Sequence, residues 1–289
     1  MRKELFFTSD IHGYYDELIA CLKRSGFNED NEKHLLVVLG DCFDRGPKSK
    51  ELYEYLSRLE DKGRCIVTAG NHDKFLIEFL EHTDKSDWNN SIAFNYMRNG
   101  LNETIASFLD RTLPFESWCL VDDGCEINGV NFNRWVDIAR HEILKDNPSI
   151  LVWLKSRPRY FESENYIGVH GGIDTGVKDW HYPKYTRYNL KGWDALDFDN
   201  GTFFSKNLDA NNTHPAIEKT VVIGHFGTRE LRRMHGKFCK NDNPRDINDI
   251  LIRDDGRIVA LDATTVLSHK VNIYKVTDDI NVKEVVKGD

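Results

Sequence analysis

Five short runs of apolar residues recur along the chain, and each of them leads into Asp, Asn or His. The runs are KELFFTSD, HLLVVLGD, CIVTAGN, YIGVHGG and TVVIGH. Continuous apolar runs of about four to six residues are typical of strands that are buried on both faces. Segments 15–24 and 48–63, which have the spacing of amphipathic helices, separate the first three runs. This alternation predicts an α/β fold with parallel strands.

The remaining segments suggest how the chain is organised. Residues 73–157 have mainly helical spacing, which predicts a helical insert region. The β-rich segments RIVALDA and KVNIYKV lie within 257–276 and predict C-terminal strands that form an antiparallel pair. No internal repeat, low-complexity tract or linker interrupts the sequence, so we expect one domain over 1–289.

Charge and cysteine usage limit the partners of the protein. Lys and Arg number 39 against 47 Asp and Glu, a net charge of −8, which argues against a nucleic-acid-binding surface. The six cysteines include no C-x-x-C pair and several lie in apolar runs, as in proteins of reducing compartments. No apolar run approaches the roughly 18 residues that a membrane span requires. We expect a cytoplasmic monomer that binds neither nucleic acid nor membrane.

Polar side chains at the ends of the apolar runs are candidate metal ligands. They are Asp10, His12, Asp41, Asn71, His170 and His225. In open parallel sheets ligands bind at the carboxyl ends of the strands, so these side chains are expected to converge on one rim. A single Asp or His there usually caps a helix or forms a turn, but here five runs end in this way. Oxygen and imidazole ligands in this number suit a pair of divalent transition metals.

The spacing of these residues supports a two-metal site. Asp10 and His12 are two residues apart on an extended segment, so both side chains point the same way and can bind one ion. Asp41 follows Gly40, where the missing side chain lets the backbone approach closely. The two carboxylate oxygens of Asp41 can then reach two ions.

Short motifs at these positions resemble the signatures of the phosphoprotein phosphatase branch of the metallophosphoesterases. They are Ser-Asp-Ile-His-Gly at 9–13, Gly-Asp-Cys-Phe-Asp-Arg-Gly at 40–46, Gly-Asn-His-Asp at 70–73, and the later histidine motifs at 169–172 and 223–225. The chain is most similar to bacterial and phage serine/threonine phosphatases of the lambda-phage type, over roughly residues 4–275. The resemblance implies a calcineurin-like α/β fold, in which helices flank a central β-sandwich and a dimetal site lies at the carboxyl ends of strands.

The same resemblance assigns the ligands to two metals. Asp10, His12 and Asp41 would hold the first metal, and Asp41, Asn71, His170 and His225 would hold the second. Manganese is the expected metal, with iron and Zn²⁺ as alternatives, since oxygen and imidazole ligands suit all three.

Three further residues are implied to act on the substrate. His72 would donate a proton to the leaving group as general acid, and Asp44 would orient its ring. Arg45 would bind phosphate oxygens with its guanidinium fork, together with Asn71. A second phosphate-binding arginine follows a tryptophan in related phage enzymes, but Trp193 is not followed by one here. Arg187 is the nearest candidate, and the cluster of Arg229, Arg232 and Arg233 is another.

The implied activity is hydrolysis of phosphoserine and phosphothreonine in proteins, by direct attack of a water that bridges the two metals. Phosphotyrosine and phosphorylated small molecules remain open as substrates. The main alternative is a diadenosine tetraphosphate hydrolase of the sister branch, in which the second motif often lacks the residue corresponding to Asp44. A catalytically inactive scaffold is a third hypothesis, which the intact ligand set disfavours. A nucleic-acid phosphodiesterase is disfavoured by the negative net charge.

Overall fold

Two β-sheets form the centre of the structure, which is a computed structural model describing residues 1–81, 95–111, 126–127, 130–173, 218–235, 240 and 242–280. The strands are β1 (Arg2–Thr8), β2 (His34–Leu39), β3 (Cys65–Thr68), β4 (Glu126–Ile127), β5 (Val130–Asn131), β6 (Tyr160–Glu162), β7 (Tyr166–Val169), β8 (Thr220–Ile223), β9 (Leu251–Ile252), β10 (Ile258–Ala260) and β11 (Tyr274–Asp279). The helices are α1 (Tyr15–Ser25), α2 (Ser49–Asp61), α3 (Asn71–Glu81), α4 (Leu101–Leu109), α5 (Phe132–Asp146), α6 (Ile150–Lys155), α7 (Thr228–His235) and α8 (Thr265–Ser268).

The five apolar runs divide between the two sheets. The first sheet has the strand order β11-β1-β2-β3, and the second has the order β6-β7-β8-β10-β9. Strands β1, β2 and β3 run parallel to one another, as the alternation of strands and helices predicts. Strands β7 and β8 are also parallel, but they belong to the second sheet. The α/β fold with a central sandwich is therefore confirmed, with the predicted rim built from two sheets.

Each run is apolar throughout because its strand is buried on both faces. Along β1, Leu5 and Phe7 belong to a buried cluster that also contains Val222 and Val259 of the second sheet. Phe6, which points the other way, packs in a separate cluster with residues of the helices. Successive side chains of a strand alternate between its faces, so one face contacts the opposite sheet and the other contacts helices.

Helices α1 and α2 confirm the predicted amphipathic segments. Leu18 and Leu22 are buried on α1, and Leu52, Leu56 and Leu59 are buried on α2. Gly63 follows α2 with a left-handed φ of +66°, which glycine adopts at little cost. Its N–H donates to Glu60 O over 2.8 Å, which satisfies a carbonyl at the end of the helix.

The predicted antiparallel pairing of the two C-terminal segments is wrong. Strand β10 pairs in parallel with β8 and antiparallel with β9, whereas β11 pairs antiparallel with β1 in the other sheet. Helix α8 lies between β10 and β11, where the chain passes from one sheet to the other. Strand β11 also starts at Tyr274 and extends to Asp279, beyond the predicted limit at 276.

Residues 71–155 are mainly helical where the structure describes them, with α3 to α6 and the short hairpin β4-β5. The helices pack against the outer face of the first sheet through the cluster that includes Phe79, Ile105 and Ile143. Assignment of 1–289 to one domain stays a prediction. In the described part of the chain, every helix is too short or too polar to cross a lipid bilayer.

Packing between the sheets can be tested at Phe161, which is fully buried and meets Phe7 edge to face at 5.6 Å. Phe161→Ala should lower the free energy of unfolding by about 3–5 kcal/mol, because the cavity lies in the sandwich interior. Urea denaturation measures this loss. The matched control is Val152→Ala on α6, where the side chain is 71% exposed, and a change within about 0.5 kcal/mol is expected. Similar losses in both variants would contradict the sandwich interface.

Candidate metal centre

The candidate ligands meet at one end of the sandwich, where strands of both sheets finish. Asp10 and His12 follow β1, and Asp41 follows β2. Asn71 and His72 begin α3, directly after β3 and its connecting glycine. The remaining ligands come from the second sheet, where His170 follows β7 and His225 follows β8.

Backbone conformation at this end is unusual. The φ angles of Asp10, His12, Asp41 and His225 are +51°, +50°, +49° and +64°, all in the left-handed region. Each such residue costs about 1–3 kcal/mol, and residues of this kind cluster at functional sites. The backbone is therefore strained in the turns after β1, β2 and β8, which carry four of the candidate ligands.

The carboxylate of Asp41 lies between histidines from both sheets. Its Oδ1 is 3.3 Å from His170 Nε2 and accepts a hydrogen bond from the His72 backbone N–H over 2.9 Å. Its Oδ2 is 3.8 Å from His12 Nε2. The two oxygens thus face different imidazoles, which is the arrangement expected of a carboxylate shared by two cations.

Backbone carbonyls orient two of the imidazole rings. His12 Nδ1 is 2.8 Å from Phe43 O, and His170 Nδ1 is 2.8 Å from Leu39 O. A carbonyl can only accept, so each Nδ1 carries a proton and Nε2 is directed into the site. Metal-binding histidines are commonly fixed by this kind of hydrogen bond.

Two groups of donors have the spacing of metal ligands. In His12, Asp41 and His72, the candidate ligand atoms all lie within 4.8 Å of one another, and the same holds for Asp41, His170 and His225. His170 Nε2 is also 2.9 Å from Asn71 Oδ1 and 3.3 Å from His225 Nδ1. Nitrogen and oxygen donors that converge in this way fit divalent transition metals.

The position of Asp10 differs from that of the other acidic ligand. Its Oδ2 accepts a hydrogen bond from the His225 backbone N–H over 2.9 Å. Within the described residues, it is a member of neither group of donors with metal-ligand spacing. The hydroxyl of Thr265 donates to Asp10 O over 2.8 Å, so α8 also fixes this turn.

Burial and neighbouring charges raise the pKa of some residues in the cluster and lower the pKa of others. Burial and the charge of Asp262 raise the pKa of Asp10 well above its ordinary value. At Asp41, burial acts in the same direction, but the charges of His170 and His72 outweigh it and hold the pKa well below its ordinary value. Burial and the neighbouring His170 lower the pKa of His225 to about 3, which keeps its ring in the neutral form that binds cations.

Arg45 places its guanidinium between two of these rings. Nη1 is 2.9 Å from His12 Nε2 and Nη2 is 2.8 Å from His72 Nε2. Guanidinium nitrogens only donate, so both imidazoles present a lone pair to a positive group. This is the type of interaction that a bound metal ion would make with the same nitrogen of His12. The donor set therefore fits the expected cations.

The turn that holds Arg45 is supported by Gly100. The N–H of Arg45 donates to Gly100 O over 3.1 Å, and a side chain at Gly100 would come within 2.3 Å of Arg45 N. Gly100 has a φ of +102°, which favours glycine at this position. The sequence Tyr-Met-Arg-Asn-Gly at 96–100 thus supports the candidate phosphate-binding arginine.

His72 and Asp44 form a buried hydrogen-bonded pair. Asp44 Oδ2 is 2.8 Å from His72 Nδ1, and Asp44 is fully buried. Burial raises the pKa of Asp44, while hydrogen bonds from His72 and Thr104 oppose the shift. Nε2 of His72 is turned toward the cluster, where it meets Arg45. The ring could therefore act as a proton donor or, by its spacing from His12 and Asp41, as a metal ligand.

An ion pair between Asp73 and Arg157 joins two loops that carry candidate metal ligands. The sequence motifs do not predict this pair. Asp73 Oδ1 accepts from Cys42 N over 3.1 Å, and Oδ2 accepts from Gly70 N over 3.0 Å. Arg157 Nη1 is 2.9 Å from Asp73 Oδ2, both side chains are 2% exposed, and the guanidinium lies 3.7 Å from the Trp153 ring centroid. No local pattern in the sequence signals this pair, since arginine is usually exposed.

Of the candidates for a second phosphate-binding arginine, the structure describes Arg229, Arg232 and Arg233. Arg187 lies outside the described residues. Arg232 makes a bidentate ion pair with Asp242 over 2.6 and 3.0 Å, and donates to three backbone carbonyls. Arg233 is exposed beside Glu230. Arg232 therefore has a structural role where the structure describes it.

The ion pair of Asp73 and Arg157 can be tested without any substrate. Asp73→Asn keeps the shape but leaves a buried guanidinium without its countercharge, so unfolding should become easier by about 3–5 kcal/mol. Urea denaturation of the metal-free protein measures this. The control, Glu81→Gln, removes the partner of Lys155 from an exposed pair, and should cost no more than about 1 kcal/mol. An equally small loss for Asp73→Asn would show that the buried pair is unimportant.

Comparison with known proteins gives partial matches to curated relatives. The asymmetrical bis(5'-nucleosyl)-tetraphosphatase PrpE of Bacillus velezensis is 38% identical over 79 residues, covering 25% of this chain and 32% of that protein. The symmetrical bis(5'-nucleosyl)-tetraphosphatase of Buchnera aphidicola is 44% identical over 72 residues, a quarter of each chain. This chain therefore spans only a quarter to a third of the length of these relatives.

A solved structure and a family model match more of the chain. The crystal structure of a mutant cold-active protein tyrosine phosphatase covers 96% of this chain and 80% of its own, with 18% identity and a TM-score of 0.49. The calcineurin-like phosphoesterase family model matches residues 4–239, which include every candidate ligand. The chain therefore belongs to the calcineurin-like phosphoesterase family of metal-dependent hydrolases.

Proposed function

We propose that this metallophosphoesterase removes phosphate from phosphoserine and phosphothreonine residues of proteins. The pairing of His72 with the buried Asp44, directly beside the candidate metal ligands, is the observation that favours this substrate class. A serine or threonine alkoxide is a very poor leaving group, so its departure is helped by a positioned proton donor. A nucleoside polyphosphate leaves as a weak base and has less need of such a donor.

The metal ligands in this proposal are the six residues identified from the sequence, namely Asp10, His12, Asp41, Asn71, His170 and His225. Two divalent cations, when bound, supply a nucleophilic water and neutralise charge on the phosphoryl group. Manganese is the proposed metal, with iron and Zn²⁺ as alternatives, because the donors are oxygen and imidazole nitrogen.

The chain's own residues position the substrate and move the proton. Arg45 would leave the lone pair of His12 when the cation binds and that of His72 when the substrate binds, and would donate two hydrogen bonds to the phosphate oxygens. Asn71, which is also a proposed metal ligand, would contribute a further contact to the phosphate. Once Arg45 has left it, His72 Nε2 would take up a proton from solvent and donate it to the leaving oxygen, while Asp44 accepts from Nδ1–H and stabilises the charged ring.

A second candidate function is hydrolysis of dinucleoside tetraphosphates. It is favoured by the curated relatives, which are named bis(5'-nucleosyl)-tetraphosphatases. The same cluster of ligands and the same arginine could serve a phosphoanhydride, because metal activation and phosphate binding do not depend on the leaving group.

The proposal also covers the setting of the reaction. We expect a monomer in the cytoplasm that acts on a phosphoprotein or a phosphorylated small molecule, without binding nucleic acid or membrane. The described cysteines Cys21, Cys42 and Cys65 are unpaired, which is usual in a reducing compartment.

Phosphate release with Mn²⁺ restored to metal-stripped protein separates the two functions. The substrates are a phosphoserine peptide, a phosphotyrosine peptide and diadenosine tetraphosphate. We expect metal-dependent turnover of the phosphoserine peptide with the dinucleotide intact by chromatography. Asp41→Asn is the control and should lose paired metal binding and turnover together. Preferential cleavage of the dinucleotide would replace the first function with the second, and stable metal binding without any turnover would favour a scaffold.

The role of His72 predicts a dependence on the leaving group. His72→Asn should lower kcat/KM for a phosphoserine peptide by about 10²–10⁴-fold, because the alkoxide then leaves without a proton. For p-nitrophenyl phosphate, which releases a weakly basic phenolate, the loss should be at least tenfold smaller. Metal analysis should find the metals retained. Loss of one metal would instead indicate that His72 is a ligand, and equal losses on both substrates would contradict its role as general acid.

A further inference from the structure

We propose that Thr104, on helix α4, is a positioning residue that orients Asp44 toward His72 and thereby sets how well the site handles poor leaving groups. This inference rests on the general-acid role of His72 in the proposed function. Helix α4 would then contribute to the reaction, although none of its residues is a candidate metal ligand.

The hydroxyl of Thr104 holds Asp44 at two points. Thr104 Oγ1 donates to Asp44 Oδ1 over 2.9 Å and accepts from the Asp44 backbone N–H over 2.8 Å. Because Oδ1 is occupied by this contact, Oδ2 is the oxygen that faces His72 Nδ1, at 2.8 Å. One hydroxyl thus restrains both the backbone and the side chain of Asp44.

The restraint is needed because this turn is strained and fully enclosed. Asp44 has a φ of +71°, a conformation that residues other than glycine rarely adopt. Asp44 and Thr104 are both fully buried, so water cannot replace a missing hydrogen bond. Without the hydroxyl, Asp44 would lose a donor to Oδ1 and an acceptor for its N–H, and its carboxylate would be free to rotate.

Thr104 is itself fixed by a third contact. Ser49 Oγ lies 3.2 Å from Thr104 Oγ1, and the proton of Thr104 is already directed to Asp44. Ser49 is therefore the donor in this contact, and Thr104 uses its one proton and both acceptor sites. Ser49 begins α2, so the hydroxyl is held between α2 and α4.

A nearby contact on the same helix provides a matched control. Ser107 Oγ accepts from the backbone N–H of Lys50 over 3.0 Å, one turn further along α4. This contact also joins α4 to α2 but does not involve Asp44 or His72. Loss of the Ser107 hydroxyl should affect helix packing without changing the orientation of the pair.

The kinetic test uses Thr104→Val, which keeps the shape, Thr104→Ser, which keeps the hydroxyl, and Ser107→Ala. For Thr104→Val, we expect kcat/KM for a phosphoserine peptide to fall about 10–100-fold, the effect of losing a hydrogen bond to a charged group. The fall for p-nitrophenyl phosphate should be no more than about threefold. Thr104→Ser and Ser107→Ala should stay within about threefold of the wild type on both substrates. Equal losses on the two substrates in Thr104→Val would overturn the positioning role.

A spectroscopic test is independent of turnover. The Nδ1–H resonance of His72 can be assigned in ¹⁵N-histidine-labelled protein by its absence from His72→Asn. We expect it to be unchanged in Thr104→Ser and Ser107→Ala, and shifted or lost in Thr104→Val with the other histidine signals retained. An unchanged resonance in Thr104→Val would refute the orientation of Asp44 by Thr104. Lack of wild-type turnover on both substrates would instead refute the proposed function and leave this resonance to decide the inference.

Discussion

The buried carboxylate of Asp41 is the interaction on which the rest of the site depends, because it contacts groups from both sheets. It accepts from the N–H of His72 at the start of α3 and lies 3.3 Å from His170, which follows β7. A carboxylate removed from water requires donors or positive charge around it. The N–H of His72 comes from the side of the first sheet itself, whereas His170 is supplied only when the two sheets pack face to face. The packing of the sandwich therefore sets the spacing between the candidate metal ligands of the two sheets.

Much of the fold could be predicted from the sequence because strands buried on both faces must be apolar at every position. The runs around Leu36 and Val222 therefore identify strands without further information. Their division between two sheets could not be derived from these patterns, since burial by a helix and burial by a second sheet require the same residues. The predicted partner of β11 is wrong for a related reason: a β-rich pattern indicates a strand but does not specify which strand lies beside it.

The candidate site was predictable where several residues of a motif are adjacent in the sequence. Asp41, Asp44 and Arg45 belong to one motif, and Asn71 and His72 belong to another. The supporting contacts come from distant positions and ordinary residue types. Thr104 is 60 positions from Asp44, and Arg157, which contacts Cys42 Sγ, is 115 positions from that residue. Nothing in the local pattern distinguishes such a threonine from any other buried helical threonine.

The ion pair of Arg157 and Asp73 and the contacts made by Thr104 and Gly100 act on different parts of the site. The ion pair of Arg157 and Asp73 holds the backbone beside the candidate metal ligands Asp41 and Asn71, through the amides of Cys42 and Gly70. Thr104 and Gly100 hold Asp44 and Arg45, the residues proposed to govern proton donation and phosphate binding. The candidate metal ligands and the proposed general acid are thus supported by contacts from different segments of the chain. In the proposed mechanism, changes at Thr104 would therefore alter the preferred leaving group through Asp44, while the backbone beside Asp41 and Asn71 keeps its own contacts with Asp73.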